Sequence, residues 1–191
     1  MSNPYNRDEF KALSAAEKRV AIAQDVLLQV SIDRLVPAFQ TYGDYGPYEG
    51  KEDISALTKE QLCSVVNKFS SCDACAIGSV FLSALKFAND LTVGEAYPYP
   101  GEPLTDNVGF FREIGGAPSL SVLMKYLERF FAAEQLYLME NAFEAYDRTF
   151  SSIPEEVTQA AYRFCLDCES PNERLDRIMK NIIDNKGEFR P

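Results

Sequence analysis

Two Cys-x-x-Cys pairs, Cys72-Asp73-Ala74-Cys75 and Cys165-Leu166-Asp167-Cys168, are the residues here whose type and spacing could do chemistry. Four thiolates are what a tetrahedral zinc site or an iron–sulfur cluster requires. The pattern departs from a zinc site in two ways: the pairs lie much further apart than the roughly 15 to 20 residues of common zinc modules, and neither carries the glycine, proline or lysine of a zinc knuckle. Cysteines at i and i+3 of a regular helix also need a loosened turn to chelate one ion. The reading adopted is that Cys75, Cys165 and Cys63 are small core hydrophobes, with no cofactor or metal. Zinc or iron–sulfur ligation by Cys72, Cys75, Cys165 and Cys168 is the alternative. A redox role for Cys72, at a helix N-terminus where its pKa would fall, needs a thioredoxin-like βαβ frame that the sequence does not spell out.

Other chemistries are excluded or weakened by residue type. Histidine is absent, which removes Ser-His-Asp and Cys-His nucleophile systems, histidine metal ligands and imidazole bases. No Gly-x-x-x-x-Gly-Lys-Ser/Thr or Gly-x-Gly-x-x-Gly phosphate loop is present, and Gly115-Gly116 reads as a turn. A calcium loop counted from Asp147 fails, because its sixth position is Ser152 and its twelfth Thr158 rather than glycine and glutamate. Acidic pairs such as Glu140 with Glu144 and Glu155 with Glu156 read as solvated helix faces in a chain of net charge −10, with Glu144 exposed and paired to Arg148 at i+4.

The tyrosines are less evenly spread. Tyr42, Tyr45 and Tyr48 lie among glycines and a proline, and Tyr97 and Tyr99 alternate with Pro98 and Pro100. Tyrosine in such loops offers a large, fairly rigid contact area with a hydrogen-bonding tip, as recognition surfaces do. The plainer reading is that the rings tack loops onto a core.

Composition bounds what positions these residues. A chain of 191 residues with 46 % hydrophobic, 25 % charged and 12 % aromatic content can form one core, so a single helical domain over 1–191 is expected. The acidic balance opposes binding to nucleic-acid phosphates and to anionic membranes. The first ten residues lack a signal-peptide pattern, and no apolar run reaches the roughly 18 residues of a membrane span. The nearest, Ala74 to Leu91, is interrupted by Ser79, Ser83, Lys86, Asn89 and Asp90. Five cysteines and no Asn-x-Ser/Thr acceptor fit a cytoplasmic protein better than a disulfide-framed secreted one.

Ser14-Ala15-Ala16-Glu17 is a capping box, and Val20, Ala23, Val26, Leu27 and Val30 form the stripe of the helix it opens. Residues 31–51 read as an extended arm or a short β-hairpin. Thr58 caps a short helix carrying Leu62, Val65, Val66 and Phe69. From Ala74 to Leu91 apolar residues wrap most of the way round, which predicts a central buried helix. Breakers crowd 92–118, the one long loop. Ser119 to about Phe150 reads as two helices or one kinked helix. Pro154 opens another that runs to about Cys168, and Ser170-Pro171-Asn172-Glu173 caps the last, which Gly187 stops. The expected fold is a mainly α bundle of about six helices.

The stretches Cys72-Asp73-Ala74-Cys75-Ala76-Ile77-Gly78-Ser79-Val80-Phe81-Leu82-Ser83 and Arg177-Ile178-Met179-Lys180-Asn181-Ile182-Ile183-Asp184-Asn185-Lys186-Gly187-Glu188-Phe189-Arg190-Pro191 resemble those of a group of small uncharacterised bacterial and phage proteins, with a Cys-x-x-Cys-Ala-x-Gly block and an Asn-x-Gly-x-Phe-x-Pro tail. The resemblance implies a cytoplasmic protein of bacterial or viral origin and carries over no catalytic residue. Cys165 and Cys168 lie outside its pattern. The function expected is a non-enzymatic protein-binding or regulatory module that uses its acidic surface and tyrosine loops on a partner of unspecified identity and stoichiometry. The alternatives are a metal-stabilised protein and, from charge alone, a nucleic-acid mimic.

Overall fold

The computed structural model describes residues 7–40, 72–88, 120–146 and 148–191. Along these the chain forms α1 (Arg7–Ala12), α2 (Ala15–Ser31), β1 (Leu35–Pro37), β2 (Cys72–Ala74), α3 (Ala76–Ala88), α4 (Leu120–Leu127), α5 (Ala133–Glu144), α6 (Glu155–Phe164) and α7 (Pro171–Asp184). Helix α3 is apolar on most sides and therefore cannot face water. Ile77, Val80, Phe81, Ala84, Phe87 and Ala88 are all buried, and α1, α2, α4 and α5 pack round it. Fully burying a side chain of Ile77's size contributes roughly 1.5–3 kcal/mol, so this helix organises the core.

Both capping boxes shape their helices, in different ways. At α2 the Ser14 hydroxyl accepts the Glu17 N–H at 3.3 Å while the Glu17 carboxylate accepts the Ser14 N–H at 2.8 Å, the reciprocal arrangement expected. At α7 the Ser170 hydroxyl accepts the Glu173 N–H, but the Glu173 carboxylate reaches one residue further back, to the Glu169 N–H at 2.7 Å. Pro171 occupies the first turn, where its missing N–H costs nothing. Helices α2 and α7 share the most extensive helix–helix contact among the described elements. Arg19 ties it down by donating to the Gly187 and Phe130 carbonyls at 2.6 and 3.1 Å.

The C-terminal tail has structural reasons for its residue types. Gly187 adopts φ +95°, and a Cβ there would meet the Ala16 carbonyl oxygen at 2.6 Å, so only glycine fits the conformation and the close approach. Phe189 is buried edge-on against Phe164, and its N–H donates to the Gln135 side chain at 2.6 Å. In the Cys-x-x-Cys-Ala-x-Gly block Cys75, Ala76 and Gly78 are likewise buried. Both blocks thus hold the fold together.

The strand expected within 31–51 is present as β1, but its partner is not a neighbouring hairpin arm. Leu35, Val36 and Pro37 pair in parallel with Cys72, Asp73 and Ala74, and residues 41–51 lie outside the described ones. This ladder also accounts for α3 beginning at Ala76 rather than Ala74, since residues 72–74 are extended. Helix α1 was not expected: it is six residues long and buries Phe10, which stacks on Phe87 with ring centroids 4.6 Å apart. The 119–150 stretch forms two helices, α4 and α5, and α6 ends at Phe164, leaving Cys165–Cys168 in a turn. The helix expected near Thr58 and the 92–118 loop lie outside the described residues. Among the described residues no helix is long and apolar enough to cross a membrane.

Candidate functional site

The carboxylates read as solvated are the main correction. On α5, Glu140 and Glu144 sit four residues apart on one face; Glu140 is only 4 % exposed and Glu144 is half-buried. Helical spacing holds a signal for this, because Glu140 falls four residues after Leu136 and three before Phe143, inside the apolar stripe. Glu144 does not pair with Arg148 in a solvated i+4 contact. Both of its carboxylate oxygens accept the Gln40 backbone N–H, at 2.9 and 3.1 Å. Burial pushes the Glu144 carboxyl above its ordinary value; the charge of Glu140 adds to the rise, while the Gln40 N–H, Arg174 and Arg148 oppose it.

Arg174, from α7, completes the enclosure. Its Nη1 donates to the Phe143 carbonyl at 2.9 Å, and its guanidinium lies 5.1 Å from the centre of the Phe39 ring. Phe39 in turn packs on Phe143, centroids 5.4 Å apart. The segment that follows β1 is therefore clamped at two successive residues, Phe39 by an aromatic and a cation, Gln40 by a carboxylate. Neither Arg174 nor Gln40 was singled out by the sequence, because the clamp joins three segments far apart in the chain.

Cys75 immediately precedes α3, where its thiol feels the charges of Glu144 and Glu140. A helix N-terminus ordinarily lowers a thiol's pKa, and here the Gly78 and Ile77 backbone N–H groups act in that direction. Burial outweighs them, and with the Glu144 and Glu140 charges it pushes the thiol up to about 12. At neutral pH Cys75 stays a thiol. The reading of Cys75 and Cys165 as core residues agrees with exposures of 1 % or less.

No known family model, curated protein or solved structure matches the chain.

The remaining sequence-nominated residues divide into two sets. Tyr42, Tyr45, Tyr48, Tyr97, Tyr99 and Cys63 lie outside the described residues. Cys72 is placed by its backbone in β2, opposite Leu35. Cys165 and Cys168 lie together after α6, where Cys165 is held beneath the start of α7 by a thiol contact to the Arg174 carbonyl at 3.8 Å. Among the described residues no three Cys, Asp or Glu side chains gather as a metal site requires, so Cys75 does not join Cys165 and Cys168 around one ion. Glu155 and Glu156 are exposed in the first turn of α6, as expected.

Proposed function

We propose that this protein is a non-enzymatic binding or regulatory module, whose helical body presents the segment beginning at β1 to a protein partner. The observation that supports the reading is the clamp on Phe39 and Gln40, the last described residues before Tyr42, Tyr45 and Tyr48. A recognition segment rooted in a fixed scaffold loses less entropy on binding than a free one. Ile32, Val36 and Phe39 are 45, 42 and 42 % exposed, so apolar contact area continues along the same segment, and apolar area beside tyrosines is what interface centres use. The net charge of −10 favours a partner with a basic rim around an apolar centre.

The test is quantitative capture from a lysate of the source organism. Wild-type protein is expected to retain one partner in stoichiometric amount, and Tyr42/Tyr45/Tyr48→Ala to lose it. A Val36→Asp form, which alters an exposed residue, should bind more weakly while unfolding at the same denaturant concentration. Equal capture by all three forms, or none by the wild type, would overturn the proposal.

A further inference from the structure

Cys165 and Cys168 have a geometry that the core-residue reading does not use. Helix α6 ends at Phe164, and the next four residues close a turn in which the Cys168 N–H donates to the Cys165 carbonyl at 3.1 Å. Such a turn holds its first and fourth Cα atoms within about 7 Å, and disulfides span Cα separations of roughly 4.4–6.8 Å. Neither thiol is part of a disulfide, and both are buried at this turn. The loosened turn that metal chelation would have needed is present, but among the described residues only these two thiols line it.

From this geometry we infer that Cys165 and Cys168 form a redox-active dithiol, whose substrate class is a low-molecular-mass disulfide. The two sulfurs have distinct parts. Cys168 keeps 8 % exposure and sits between exposed Asp167 and Glu169, whereas Cys165 has none, so an incoming disulfide meets Cys168 first. The Cys168 thiolate attacks one sulfur of the disulfide R–S–S–R, breaking its S–S bond, forming a Cys168–S–S–R bond and releasing one thiolate. Cys165 then gives up its proton and attacks the Cys168 sulfur, forming the Cys165–Cys168 bond and expelling the second thiolate. The two cysteine protons end on the two released thiols, so the cysteines are oxidised by two electrons and the small disulfide is reduced by two.

The surroundings fit this order. Burial, and then the neighbouring Cys168 sulfur, push the Cys165 thiol up to about 12, while Arg177 and Arg174 oppose the rise. In the mixed disulfide the Cys168 sulfur is bonded to the small thiol, so its part of that rise is removed while the part due to burial stays. Arg177 holds the turn from outside, donating to the Phe164 carbonyl at 3.0 Å and pairing with both oxygens of Asp167.

The probe is oxidised glutathione, applied to the folded full-length protein, followed by acid quenching, alkylation, trypsin digestion and mass analysis. Both cysteines fall in one tryptic peptide, Phe164 to Arg174, so an internal disulfide leaves it unalkylated and lighter by two hydrogens. That product is expected from the wild type, while Cys165→Ala should retain glutathione on Cys168, and Cys168→Ser should leave Cys165 reduced. Overturning results are oxidation that occurs only in denaturant, a wild type that stops at the mixed disulfide, or a bond from either residue to Cys63, Cys72 or Cys75. The wild-type result stands by itself even where a variant folds poorly.

Discussion

Lys86 on α3 pairs with Asp25 on α2 at 2.8 Å, the lysine side chain 30 % exposed and the aspartate 1 %. Gln29 also donates to the same Asp25 oxygen, at 3.2 Å. Removing one member of a fully buried ion pair costs about 3–5 kcal/mol. The partly wet lysine and the remaining Gln29 bond reduce that here, so Lys86→Met is expected to cost about 2–3 kcal/mol by urea denaturation. Asp25→Leu combined with Lys86→Met should recover most of the loss, because the double change leaves no buried carboxylate without its cation. A double variant as unstable as the sum of the singles would show that the pair is not coupled.

Gly187→Ala combines a φ of +95° with a Cβ placed 2.6 Å from the Ala16 carbonyl oxygen. The neighbour is backbone, which cannot swing aside, and it belongs to the α2–α7 contact. A loss of about 3 kcal/mol is expected, read as a lower midpoint of chemical unfolding. A loss under about 1 kcal/mol would mean that the tail relaxes freely away from α2.

Ala145 ends α5 in the left-handed conformation, φ 53° and ψ 45°, a place glycine ordinarily takes. Left-handed backbone costs a non-glycine residue about 1–2 kcal/mol, and glycine's extra freedom in the unfolded chain returns about 0.4–1 kcal/mol of that. Ala145→Gly should therefore stabilise by roughly 0.5–1 kcal/mol. A destabilising result would reverse that balance.

How much of this was readable beforehand depended on the range of the interactions involved. Ser14 with Glu17, and Ser170 with Pro171, announce their helices because a cap is decided within four residues. The all-round apolar run about Val80 announces burial for the same local reason. The parallel pairing of Leu35 with Cys72 was invisible, since a three-residue strand takes its identity from a partner far along the chain. The Glu140 and Glu144 site was half legible: the stripe spacing puts Glu140 among apolar residues, but its enclosure depends on Cys75, Gln40 and Arg174. Helix α1 gave no period to read, having one buried residue.

Glu144 gives the pH prediction. Its carboxyl is raised, by burial first, so the folded state binds this proton more tightly than the unfolded chain, and stability contributed by Glu144 falls as pH rises through the window from the ordinary glutamate value to the raised one. Acidification back through that window restores it. Glu144→Gln, which keeps a carbonyl oxygen for the Gln40 N–H, should remove this component and flatten the stability profile on the acid side of neutrality. Parallel profiles for the two proteins would place the proton elsewhere.

The α2–α7 contact has a consequence during synthesis. The helix that covers the side of α2 not packed on α3 is the last of the described helices to leave the ribosome, so that part of the apolar surface of α2 waits for residues 171–184 before it is shielded. At ~5–20 residues per second that interval is on the order of ten seconds. Through it the nascent chain is a natural client for holding chaperones, and a product that ended before Pro171 would leave one side of its longest described helix uncovered.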